Sequence, residues 1–356
     1  MKGLVLAGGT GRRLRPLTHT SAKQLLPVAN TPILFYGIAQ LVDAEVTDIG
    51  IVVGETGAEV RAAVGDGSRW GARITYIDQP EPLGLAHAVA VARPFLGDDD
   101  FVMYLGDNLL EEGVAGLVDA FRRARAEGAA ARILLAHVED PSRFGVAEIR
   151  DGRVVHIEEK PTEPRSDLAM VGAYAFTPAI HEAVDAIEPS ARGELEIADA
   201  ISWLIAHGQP VDHEVVSGWW LDTGKKDTVL EANRRVLGTL SPRVEGDVDA
   251  ATTVEGVVVV EAGATVERSH LVGPVVIGAG SRIVDSRIGP HASIGQDVTV
   301  ERTTMQDAVV LERASLLGVS NLVDSLVGRD TVVRADHRSP AALRLMIGDD
   351  CTVEVP

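Results

Sequence analysis

The C-terminal third of the chain carries the pattern that most narrows the fold. Ile277, Ile283, Ile288, Ile294 and Val300 recur at steps of six, five, six and six, and glycine follows Ile277, Ile288 and Ile294. Val327-Gly328 with Val333, and Ile347-Gly348 with Val353, repeat the interval. A helix would need apolar spacings of three and four. An apolar residue followed by glycine at hexad spacing instead marks a β-helix, whose inward side chains stack in ladders. At three hexads a coil, the stretch from Gly256 onward makes roughly six coils, enough to bury a continuous core. Residues 335–344 interrupt the hexads as a loop or short helix.

The first 240 residues have a different texture. Apolar runs at Gly3 to Leu6, Ile49 to Val53, Ile74 to Ile77, Phe101 to Leu105 and Ile133 to Ala136 read as strands. Helical patterns at Ile33 to Asp43, Glu59 to Val64, Ala86 to Ala92 and Val114 to Ala126 fall between them. That alternation predicts an α/β domain with a doubly wound, mainly parallel, Rossmann-like sheet, which binds ligands beyond the carboxyl ends of its strands. The stretch Leu237 to Ala251, with Pro242, Gly246 and several acids, reads as a linker. The expected domains are therefore residues 1–240 and 241–356.

The first strand runs into LAGGTGRRLRPLT, where Gly8, Gly9 and Gly11 precede Arg12, Arg13, Arg15 and, further on, Lys23. Glycines let backbone N–H groups approach an oxyanion closely, and the cations add charged donors. A Walker A loop is excluded, because no Gly-Lys-Ser/Thr follows at its spacing. The dinucleotide fingerprint is excluded too: Leu14 stands where its third glycine belongs, and no acid follows about 20 residues later. Residues 1–42 contain no Asp or Glu, yet the whole chain has a formal net charge of −19. A polyphosphate is the ligand that such a cradle fits.

The same charge balance argues against nucleic acid as a partner, which needs an extended basic surface. No apolar run approaches the roughly 20 residues of a membrane span, and no signal-peptide pattern opens the chain, so a cytoplasmic location is expected. Cys351 is the one cysteine, which rules out an intrachain disulfide. Only five of the 33 cations are lysines: Lys2, Lys23, Lys160, Lys225 and Lys226. A chain that otherwise chooses arginine keeps lysine where a compact ammonium is wanted, which singles out Lys23 and Lys160.

Nine landmarks, in order, carry a family resemblance: LAGGTGRRLRPLT, KQLLPVANTP, GDGSRWG, QPEPLGLAHA, LGDN, RFGV, EEKP, RGELEIAD and WLDTG. With these the chain resembles the sugar-1-phosphate nucleotidylyltransferases, and among them the thymidylyl-transferring branch that acts on dTTP and glucose 1-phosphate. The C-terminal hexads resemble that branch's long form, which ends in a left-handed β-helix. The resemblance implies attack of the sugar phosphate on the α-phosphate of the nucleotide, releasing pyrophosphate. Such chemistry needs positioning and charge neutralisation but no general base.

By the same resemblance Asp107 and Asp222 share one Mg²⁺. Arg13 holds the leaving phosphates, and Lys23 reaches the α-phosphate. Leu6, Gly8, Gly9, Gly11, Gln24, Gln79 and Gly84 match nucleotide contacts, Gln24, Gln79 and Gly84 lying at the base. Gly145, Glu159, Lys160, Val171 and Arg192 match the sugar-phosphate side, where Trp219 and Trp220 could also line the pocket. The chain departs from short relatives at Leu83, where many have Asp, and at His87, where many have Gln; a packing or hydrogen-bonding role is expected for His87.

Three other readings stay open at this level, the first being nucleotidyl transfer with another sugar or cyclitol 1-phosphate or another nucleoside triphosphate. The β-helix could transfer an acyl group using His270, His291 or His337, although residues 241–356 hold no lysine and seventeen acids against ten arginines. The protein could also be a non-catalytic nucleotide-binding subunit, against which both aspartates are retained. The β-helix is expected to make a homo-oligomer through exposed apolar coils.

Overall fold

The structure is a computed structural model that describes residues 1–19, 21–335 and 349–354. The Ile347-Gly348 repeat, His337 and all but the first residue of the 335–344 interruption lie outside them. Contacts divide the chain into two bodies. The first comprises Met1–Thr10, Ser21–Leu25 and Ile33–Asp222; the second, the described residues of Gly11–Thr20, Leu26–Pro32 and Thr223–Pro356.

In the first body every strand and helix expected from the sequence is present, and α1 spans Ile33–Asp43. The other helices there are α2 (Gly57–Val64), α3 (Leu85–Leu96), α4 (Ala115–Ala126), α5 (Ala179–Ala186) and α6 (Ile197–Ala206). Strands Phe101–Leu105, Lys2–Leu6, Asp48–Val53 and Arg73–Asp78 lie side by side, all parallel. Beyond Phe101–Leu105 the sheet becomes mixed, because Leu168–Phe176 pairs with it antiparallel and also with Ala131–His137.

Alternation along the strands explains the double winding. Leu4, Leu6, Phe101 and Met103 join one buried cluster with α3, α5 and α6. Their neighbours Val5, Val102 and Tyr104 join another with α1, α2 and α4. Successive side chains on a strand point to opposite faces, so an unbroken apolar run needs helices on both sides. Each fully buried Leu, Ile or Phe contributes about 1.5–3 kcal/mol.

The second body contains α7 (Lys226–Leu237) and three all-parallel sheets, the arrangement of a left-handed β-helix. Val266, Ile283, Val300 and Leu316 make one inward ladder; Leu271, Ile288 and Met305 make another. From Val258 onward the coil is 16 or 17 residues, not the eighteen that three hexads would give: Val258 pairs with Val275, Val275 with Ala292 and Ala292 with Ala308. One side of the triangle is shorter, with the two-residue strands Arg287–Ile288 and Thr304–Met305, and the step of five before Ile288 belongs to it. Gly278 sits directly over Gly295, where an added Cβ would lie 2.6 Å from backbone. Glycine therefore recurs where coils touch through their main chains.

One outer face of the β-helix is apolar and already covered. Val309 and Leu326 face Val229 of α7, Leu17, Leu26 and Pro27. The buried Asn233 of α7 accepts hydrogen bonds from the Ala29 N–H at 2.9 Å and the Ser293 hydroxyl at 2.6 Å, while Asn30 donates to the Ile294 carbonyl at 2.7 Å. A second face presents Thr265, Glu267, Arg282, Thr299 and Glu301. That face is mixed, since the 60% exposed Val332 continues the ladder of Thr265, Arg282 and Thr299, and Leu317 that of Glu267 and Glu301. Among the described residues, no helix is long and apolar enough to cross a membrane.

Candidate active site

Strands Lys2–Leu6 and Phe101–Leu105 run in register, Leu6 beside Leu105, so the loops after them leave the same edge of the sheet. Gly106 donates to the Leu6 carbonyl at 3.0 Å. Leu6 is buried in the core, so its own contribution at this edge is that backbone oxygen. The turn Lys23–Leu25 is fixed from α2, whose Glu59 accepts the Ala22 N–H at 2.7 Å. A Cβ on Gly9 would lie 2.8 Å from Cε of Lys23, so glycine here leaves the lysine stem its path.

Lys23 Nζ donates to Asp107 Oδ2. Burial opposes the charge on Asp107, but the Lys23 ammonium and hydrogen bonds from Lys23 and Asn108 outweigh it and hold the carboxyl below its ordinary range. Strand Trp220–Asp222 pairs antiparallel with Asn108–Leu110, placing Asp222 opposite Asn108. The two aspartates thus belong to adjacent backbone segments, one register step apart. Gln24 is 1% exposed, with Nε2 3.6 Å from the same Gly9 Cβ position, and its Oε1 finds no partner among the described residues.

Asn108, part of the LGDN landmark but given no role from the sequence, organises this corner. Its Nδ2 donates to Asp107 Oδ1 at 3.1 Å, and its Oδ1 accepts from the Trp220 indole at 2.6 Å. Its carbonyl accepts the Tyr104 hydroxyl at 2.8 Å. Tyr104 in turn needs Gly37 of α1, where a Cβ would sit 2.5 Å from its ring. Trp220 stands 5.2 Å from the Phe144 ring, centroid to centroid, and Trp219 donates its N–H to Glu111. The signal available beforehand was the Asn itself: a buried amide beside a buried acid satisfies both.

A cleft of about 440 Å³ opens beside the glycine loop, lined by Gly8, Thr10, Gly54, Glu55, Gln79 and Pro82 among others. The Gln79 N–H donates to Val53. Gly84 adopts φ 106°, and a Cβ there would lie 2.4 Å from the Leu195 carbonyl. The physical demand for glycine at 84 is thus the close approach of residues 83–86 to Leu195, which exchanges backbone hydrogen bonds with Leu83 and Ala86.

The residues matched to the sugar-phosphate side also meet. Gly145 pairs with Glu159, and a Cβ on it would strike Met170 at 2.4 Å. Burial raises the Glu159 carboxyl above its ordinary value; Lys160, 3.2 Å away, and Arg192, 3.9 Å away, pull the other way but do not prevail. Arg192 is gripped by Glu194 at 2.8 Å and by the buried Glu196 at 2.9 Å. Glu196 was missed in the sequence, although its i,i+4 spacing from Arg192 was there to be read. The Val171 side chain is in the core, which leaves only its backbone to face a ligand. Gly11 and Arg13 belong to the second body: Gly11 has φ 63° and accepts the Thr18 hydroxyl at 2.7 Å, and Arg13 is exposed on the short turn Arg12–Leu14.

Of the histidines considered for acyl transfer, the two among the described residues, His270 and His291, are engaged elsewhere. His270 lies between Glu255 and Arg287, and His291 pairs with Asp307.

Comparison with known proteins adds to this geometry. The family model described as nucleotidyl transferase matches residues 2–238. A glucose-1-phosphate thymidylyltransferase of Streptomyces antibioticus is 54% identical over 356 residues, covering 100% of this chain and 99% of the relative. One of Streptomyces griseus is 52% identical with the same coverage. Among solved structures, UDP-glucose pyrophosphorylase complexed with UDP-glucose superposes with a TM-score of 0.60 at 22% identity, over 67% of this chain and 99% of the other, a likeness of fold alone.

Proposed function

Because the chain belongs to the nucleotidyl transferase family, we propose that it transfers a thymidylyl group from dTTP to glucose 1-phosphate, giving dTDP-glucose and pyrophosphate. The observation that carries this reading is the Lys23–Asp107 pair beside Gly9, with Asp222 one register step away.

A phosphate oxygen of the sugar forms the new bond to the α-phosphorus, and the α–β anhydride bond breaks with its electron pair leaving on pyrophosphate. The nucleophile is already ionised at neutral pH, so the protein need only align two polyanions and offset their repulsion. Lys23 can exchange Asp107 for an α-phosphate oxygen as charge builds there. Arg13, just downstream of the glycine loop, is assigned the β- and γ-phosphates. The Glu159 carboxylate accepts from sugar hydroxyls, and Lys160 and Arg192 face the sugar phosphate.

Asp107 and Asp222 would hold Mg²⁺, which when bound supplies positive charge to both phosphates. The donor set fits: an ionised carboxylate and a second acid nearby leave positions for phosphate oxygens and water, as that cation favours. Among the described residues no group of three or more acids, histidines or cysteines could hold a metal by itself, so the substrates would complete the shell.

The test is pyrophosphate release across a matrix of nucleoside triphosphates and sugar 1-phosphates with Mg²⁺. The pair dTTP and glucose 1-phosphate should give the highest kcat/KM. A preference of tenfold or more for another nucleotide or sugar would replace the assignment.

A further inference from the structure

We infer that His87 is a specificity-determining residue: by accepting a hydrogen bond it locks the Gln79 side chain with its carbonyl oxygen toward the glycine loop, so that the cleft selects a base offering an imino N–H. The inference rests on the thymidylyl-transfer reading and deepens it.

The two prongs of one amide face different partners. Gln79 Nε2 lies 3.3 Å from the Gly84 carbonyl oxygen and 3.0 Å from His87 Nδ1. A carbonyl oxygen can only accept, so the prong facing it must be the NH₂ group. That group has two hydrogens, and the second points to His87 Nδ1, which must therefore carry a lone pair. In the neutral imidazole the proton then sits on Nε2. Both amide hydrogens are consumed on this side, and Oε1 is left facing Gly8, where an added Cβ would lie 3.1 Å from it.

Gln79 and Gly8 both line the 440 Å³ cleft. Thymine and uracil present an N3–H donor, whereas cytosine presents a bare N3 acceptor. A fixed Oε1 accepts from the first two and repels the third. A free amide could rotate by half a turn and suit either, so discrimination depends on what holds the other prong. Two acceptors do so, the Gly84 carbonyl at 3.3 Å and, closer at 3.0 Å, His87 Nδ1 from the first turn of α3.

The experiment measures kcat/KM for dTTP, UTP and dCTP with glucose 1-phosphate in the full chain, comparing wild type with His87→Leu and His87→Gln. Leucine cannot accept, so the dTTP to dCTP ratio should fall roughly fivefold, the worth of about one hydrogen bond. The dTTP to UTP ratio should stay unchanged. Glutamine can accept through its own Oε1 and should keep both ratios. An unchanged dTTP to dCTP ratio in His87→Leu, or an equal loss on all three nucleotides, overturns the inference. Failure of wild type to use dTTP would instead remove the functional reading beneath it. Independently of activity, ¹⁵N NMR of the wild-type imidazole should show an unprotonated, accepting Nδ1 at the assay pH; a protonated Nδ1 overturns the inference even where His87→Leu does not fold.

Discussion

Two carboxylates in the first body, Asp107 buried and Glu159 half-buried, each beside a lysine, end in opposite electrostatic states. Asp107 is held below its ordinary range and Glu159 above it. Burial pushes both upward. At Asp107 the ammonium of Lys23 makes a direct charged hydrogen bond, and the Asn108 amide adds a second donor. At Glu159 the nearest cations are Lys160, itself 38% exposed, and Arg192, which Glu194 and Glu196 claim first. Proximity of a cation is therefore not what decides. A cation held against the carboxylate away from solvent offsets its desolvation, whereas one more exposed to solvent, or gripped by other acids, does not.

The largest expected effect comes from breaking the Lys23–Asp107 pair. Lys23→Met should lower kcat by about 10²–10³, the usual cost of removing a donor aimed at developing charge. It should also raise the Asp107 carboxyl toward the behaviour of Glu159, readable by NMR titration. Loss of activity without that upward movement would mean that the pair does not set the Asp107 charge.

A smaller effect is expected on the sugar side. Glu159→Gln should raise KM for glucose 1-phosphate about tenfold while leaving kcat within a few-fold, the pattern of a lost binding contact. Stability sharpens the comparison further, because the two acids carry opposite signs. The depressed Asp107 stabilises the fold above the unfolded carboxyl range, and that contribution disappears as pH falls through its folded value. The raised Glu159 costs stability once it ionises, and the cost vanishes below the unfolded range. Thermal melts should thus show Asp107→Asn destabilised at pH 7, by about 2 kcal/mol because the half-buried Lys23 ammonium loses a charged hydrogen-bond acceptor. Glu159→Gln should melt slightly higher than wild type at pH 7 and lose that advantage near pH 4. Equal signs for the two variants would end the contrast.

Much of this was legible in the residues themselves, and the exceptions have physical causes. Lysine scarcity pointed to Lys23, the acid-free first 42 residues pointed to a polyanion, and α1 fell where its periodicity ended. The contact that matters, Lys23 with Asp107, spans 84 positions and is set by strand register, which no local pattern encodes. Leu168–Phe176 is an apolar run buried on both faces, so alternation could not announce it or its antiparallel direction. The coil of 17 was written in the steps of six, five and six and was obscured only by rounding to hexads. Gly84 was matched to the base pocket, but its close neighbour is the Leu195 backbone, more than a hundred residues away.

The central claim is that nucleotidyl transfer depends on the Asp107 carboxylate in this corner of the sheet. Its most direct test is the turnover of Asp107→Asn with dTTP, glucose 1-phosphate and Mg²⁺, measured beside dTDP-glucose binding to the same protein. Turnover should drop by about 10³ or more while dTDP-glucose still binds. A variant that binds product and turns over within a few-fold of wild type would contradict the account.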